Sequence, residues 1–86
     1  MSPTSPGQVI IDVMREHPLD LTIQSSGCAA IGNLAHSGRA QRRLGELGTC
    51  ELVVAALQSF PNEAELQSSG WAAVTNLTGV SWFRLA

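Results

Sequence analysis

The sequence predicts an all-α fold, an α-solenoid of roughly two incomplete three-helix repeats, on three observations. The first is a phrase written twice: "QSSGCAAIGNLA" at 24–35 returns as "QSSGWAAVTNLT" at 67–78, an offset of 43 residues. Pro18 then falls on Pro61, and Val9, Ile10, Val13 and Met14 answer to Leu52, Val53, Ala56 and Leu57. Self-similarity at this period is the mark of stacked helical units. The second is that apolar residues recur at helical spacings. The third is punctuation by proline and glycine where units should bend or end, at Pro18, Gly48 and Pro61.

Residues 1–6 are expected to be a disordered N-terminal segment, followed by repeat units at about 7–48 and 49–86. The first helix covers 8–16, with apolar side chains at i, i+1, i+4 and i+5 on one stripe. After Pro18 a second helix follows, with Asp20 as its N-cap and Ile23, Gly27, Ala30, Ile31 and Leu34 as a buried stripe. A short third helix spans Arg39–Leu47; Ala40, Leu44 and Leu47 face inward, and Arg39, Arg42, Arg43 and Glu46 form a solvated face. Gly48 supplies the left-handed residue that ends it. The second unit repeats the scheme with a helix over 50–60 and a stop at Pro61. Asn62 and Glu65 then stand as N-cap and N3 pair of a helix carrying Leu66, Gly70, Ala73, Val74 and Leu77. Continuing the period aligns Phe83 with Ala40, so "SWFRLA" opens another short helix. Gly27, Gly32 and Gly70 each cost a helix interior about 0.8 to 1 kcal/mol relative to Ala, which argues for close approach of a neighbouring helix.

Composition narrows the function. With 44% hydrophobic and 14% charged residues the chain is globular, and a net charge of -2 gives no pull toward nucleic acid or an anionic membrane. No run of eighteen apolar residues suggests membrane insertion, and "MSPTSPGQ" lacks the basic and apolar regions of a secretion signal. A cytoplasmic protein is expected, nuclear residence being compatible. Cys28 and Cys50, each in an apolar helical stretch, read as free thiols. With His17 and His36 they match no zinc spacing, and no cysteine–base pairing is apparent, so neither metal nor cofactor nor catalysis is expected. Asn76-Leu77-Thr78 fits a glycosylation sequon but lies within a helix and is discounted.

The segment "ELGTCELVVAALQSFPNEAELQSSGWAAVTNLT" at 46–78, with Asn-Leu-Ala at 33–35 and Asn-Leu-Thr at 76–78, resembles an armadillo repeat, and the resemblance runs from about Gly7 onward. It implies a right-handed superhelix that binds extended protein or peptide segments along a concave groove, lined by the helix that holds the asparagine. The candidate peptide-binding residues are Ser26, Ala29, Asn33 and His36 in one row and Ser69, Ala72 and Asn76 in the other. Trp71 stands beside them as an anchor, or as packing against a following repeat. An amide can pair with a foreign N–H and C=O without reading side chains; the alternative is that the asparagines bond neighbouring backbone and fix the repeat. Armadillo proteins of the importin α type, which bind basic nuclear localisation peptides, also carry a tryptophan four residues before the asparagine. Here those positions are Ala29 and Ala72, and Trp71 is one residue off, about 100° around the helix. Two further readings stand: an architectural or regulatory segment of a larger polypeptide, and self-association through uncapped repeat ends.

Overall fold

A computed structural model of the chain describes residues 5–79, and among these it is all-helical: α1 Pro6–Glu16, α2 Leu21–Leu34, α3 Gly38–Glu46, α4 Thr49–Ser59 and α5 Ala64–Thr78. The helix starts obey the period of the sequence, since α4 and α5 begin 43 residues after α1 and α2. The helix boundaries expected at 8–16, 39–47 and 50–60 move by no more than two residues. α1 opens at Pro6, where proline loses no intrahelical bond, and the Ser5 hydroxyl caps it by accepting from the Gln8 N–H at 3.3 Å. Ser5 and Pro6 therefore belong to the first helix rather than to a disordered lead-in. Asp20 caps α2 as expected, its carboxylate accepting from the Ile23 N–H at 3.1 Å. The corresponding cap of α5 is Glu63, the positional equivalent of Asp20, and not Asn62, because Pro61 and Asn62 are used up in the turn. Gly48, at φ 73°, is the left-handed residue between α3 and α4. The predicted helix at "SWFRLA" lies outside the described residues.

The turn between the first two helices of each unit is built twice by the same device. Pro18 and Pro61 have no N–H, so the carbonyls of Met14 and Leu57, four residues earlier, lose their helical donor. A glutamine side chain supplies it. Gln24 Nε2 donates to Met14 O and His17 O at 2.9 Å, and Gln67 Nε2 donates to Leu57 O at 2.9 Å and Phe60 O at 3.0 Å. The residues closing α1 and α4, His17 and Phe60, share one conformation, φ -130° ψ 60° and φ -129° ψ 62°.

The core joins the two units through Ile11, Met14, Cys28, Ile31, Leu44, Val53, Leu57, Leu66 and Ala73, with α2 and α5 making the most extensive contact between helices. A Cβ at Gly27 would lie 2.5 Å from Met14 Sδ, and one at Gly70 would lie 2.5 Å from Leu57 Cδ2. The close approach is thus made by a side chain of the preceding helix in the same unit. The buried face of α5 follows the expected stripe at Leu66, Gly70 and Ala73. That of α2 keeps Gly27 and Ile31 of the expected stripe but is rotated toward Gln24, Cys28 and Gly32, which are buried with them, whereas Ile23, Ala30 and Leu34 are only partly covered. α2 lies between α1 and α5, so contact with the second unit draws its face around. No helix among the described residues is long and apolar enough to cross a membrane.

Candidate peptide groove

α2 and α5 run parallel. Their N-terminal ends meet where Leu21, Thr22 and Ser25 lie near Glu63, Glu65 and Leu66, and their C-terminal halves meet where Gly32 faces Ala73. A Cβ at Gly32 would lie 3.6 Å from Ala73 Cα, an ordinary van der Waals contact that alanine could make as well. Along this seam lies a groove of about 470 Å³, lined by Ala29, Gly32, Asn33 and His36 from α2 and the turn after it, and by Ser68, Ser69, Ala72 and Asn76 from α5.

Six of the eight residues singled out from sequence line this groove: Ala29, Asn33, His36, Ser69, Ala72 and Asn76. The rows fall together because positions three, four and seven apart share a helix face. Ser26 does not join them; it is exposed between the recess it shares with Glu63, Glu65 and Leu66 at the N-terminal end of the seam and the groove lined by Val9, Ile10, Val13 and Ile23. Trp71 lies in a separate recess of about 660 Å³ with Gln67, Ser68, Ala72 and Thr75. It is 51% exposed, and its indole Nε1 donates to Gln67 Oε1 at 3.2 Å.

The asparagines differ in use. Asn76 Nδ2 donates to Gly32 O at 2.9 Å, tying the second unit to the first. Asn33, its equivalent, is exposed. The lining consists of amides, hydroxyls, one imidazole and small apolar side chains, with no carboxylate, guanidinium or ammonium among its residues. Such a surface can hydrogen-bond a peptide backbone over a floor of Ala29, Gly32 and Ala72 that admits close approach. The arginines stay apart: Arg39 and Arg42 are exposed, and Arg43 meets Glu46 at 3.5 Å as an exposed pair of little energetic weight.

Sequence reasoning missed the polar side chains that hold the scaffold around the groove. Gln24 and Gln67 carried a signal, identity in both copies six residues after a proline. Arg15, which donates to Leu47 O at 3.0 Å, and Gln41, which donates to Leu77 O at 3.1 Å, satisfy helix C-terminal carbonyls across long sequence distances, and Thr49, whose hydroxyl donates to Leu44 O at 2.6 Å, does so locally. Cys28 is fully buried, and burial pushes its thiol up to about 11; it and the partly buried Cys50 are unbridged. Among the described residues no cluster of three or more His, Cys, Asp or Glu could hold a metal ion. Comparison with models of known protein families, with curated proteins and with solved structures gives no match, and what the groove does is therefore argued from its own residues.

Proposed function

We infer that the chain is a non-catalytic protein-interaction module, an armadillo-like pair of stacked three-helix repeats whose groove between α2 and α5 takes an extended peptide. The observation that carries this reading is the convergence of Asn33, His36, Ser69 and Asn76 on one groove that holds no carboxylate, guanidinium or ammonium and has an alanine and glycine floor. Asn33 supplies two donors and an acceptor to a passing backbone, while Asn76 holds the seam with one N–H and faces the groove as well. Helices about 8 to 10 Å apart, against an extended chain rising about 3.3 Å per residue, place successive asparagines two or three peptide residues apart. The alternative, a receptor for basic localisation peptides of the importin α type, draws no support from a lining that holds neither a carboxylate nor an indole.

The test is selection of extended peptides from a displayed library, followed by titration against variants. Ala72→Arg should fill the floor and abolish binding, and Asn33→Ala should weaken it about tenfold, the loss of one or two hydrogen bonds. Helicity should be unchanged in both. A selected peptide indifferent to both substitutions would place recognition elsewhere.

A further inference from the structure

The outer face of the first unit is the counterpart of a surface that the second unit buries. Val13 is 38% exposed where its equivalent Ala56 is 2% exposed, and Val9 is 49% exposed where Leu52 is partly buried. Ile10, Ile23 and Ala30 are partly covered where Val53, Leu66 and Ala73 are 0% exposed. The polar mark at the rim follows the same rule, since Asn33 is exposed where Asn76 donates to Gly32 O. In the second unit α5 meets the first unit chiefly through α2, and α4 meets it through α1 and α3. The opposite end of the molecule shows the other half of the same interface. Cys28 on α2 is fully buried, and its equivalent on α5, Trp71, is 51% exposed.

One chain thus carries both halves of an interface that it has already formed once between its own units. We propose that a second copy of this chain docks head to tail, its α5 surface around Trp71 seating on the α1–α2 face of the first copy. The indole, larger than the Cys28 thiol it replaces, lies in the apolar groove of about 330 Å³ that runs between α1 and α2 at Val9, Val13, Ile23 and Ala30. Asn33 then donates to a helix carbonyl of the copy's α5, as Asn76 does within the chain. Because the two surfaces differ, the contact is heterologous, and each added copy presents a fresh face to the next. A net charge of only -2 leaves little repulsion to oppose it. The peptide groove would continue across each junction, but the docking does not depend on that groove binding anything.

Sedimentation velocity of the 86-residue chain should show a mass that rises with concentration beyond the dimer. Val13→Glu closes one face and Trp71→Glu the other; both sites are exposed, so each variant should keep its helicity by circular dichroism. Each alone should remain monomeric, and an equimolar mixture should form a dimer and nothing larger. A wild-type chain that stays monomeric up to about 100 μM would overturn the proposal, and so would a mixture that fails to dimerise. Self-association of Trp71→Glu by itself would instead identify a symmetric dimer through the α1–α2 face, and would equally refute head-to-tail docking.

Discussion

A methyl group added at Gly70 would stand 2.5 Å from Leu57 Cδ2 and 3.0 Å from Leu57 Cγ, a branched side chain fixed in the core. At Gly45, inside α3, a methyl group would meet nothing within 4 Å. The same substitution therefore has opposite signs at the two sites. Alanine brings a helix about 1 kcal/mol over glycine, which overpacking by about 1 to 3 kcal/mol outweighs at Gly70 alone. Urea melts should show Gly70→Ala less stable by about 1 to 2 kcal/mol and Gly45→Ala more stable by about 0.5 to 1 kcal/mol, with unchanged m-values. Cys28 gives a second prediction at this scale. Burial raises its folded-state pKa to about 11, above the ordinary value of 9.0 that it regains on unfolding. The folded chain thus holds this proton more tightly. The associated stability is complete below pH 9 and is lost as the pH climbs through 11, by at most about 1.4 kcal/mol per unit. Unfolding midpoints should fall across that window in wild type and less so in Cys28→Ala, and an alkylating reagent at neutral pH should label Cys50 well before Cys28.

At the scale of the helix, proline and glutamine act as one unit. Pro18 ends α1 by withholding an N–H, and Gln24, 2% exposed, returns a donor from the next helix to the stranded Met14 carbonyl. His17 O also accepts from the Asp20 N–H at 3.2 Å, so Met14 O has the most to lose. Gln24→Leu should destabilise the chain by about 1 to 3 kcal/mol, the cost of a buried unsatisfied acceptor. Gln58→Leu, at an exposed position of α4, should stay within about 0.5 kcal/mol; thermal melts of the two variants separate the cases. Much of this level was legible in the sequence, because helix starts follow caps, prolines and glycines that can be read locally. The Asp20 cap and the Gly48 terminator needed no tertiary information. The rotated face of α2 did, since which of two adjacent apolar stripes is buried depends on a partner helix 43 residues away. The carbonyl partners of Arg15 and Gln41 were hidden for the same reason: a long polar side chain on a helix surface does not announce its acceptor.

For the whole molecule, dimensions of 44 × 29 × 16 Å leave a slab whose thinnest direction is about one and a half helix diameters. Every helix therefore has a face near the surface, which is how a chain with 44% hydrophobic residues comes to expose Val9, Val13, Val54 and Trp71. The groove residues were legible as rows, because helical spacing fixes which side chains share a face. Ser26 fell outside the groove because it lies about one turn N-terminal of Ala29, where the seam opens beside Glu63, Glu65 and Leu66, and Trp71 because one residue turns it onto another side of α5. That Asn76 ties the units together could be posed from sequence only as an alternative, since its acceptor, Gly32 O, becomes its neighbour only after folding.

The coincidence of helix starts at a constant offset has a practical corollary for lengthening the chain. A cut after Glu63 and a cut before Leu21 fall at equivalent points, so the segment 21–63 can be spliced in again between Glu63 and Ala64 without creating an unfamiliar junction. Each insertion adds a length of polypeptide already written to fit both of its new neighbours, extending the protein by about 10 Å per unit. Growth by tandem duplication asks nothing more of such a sequence than repetition in frame.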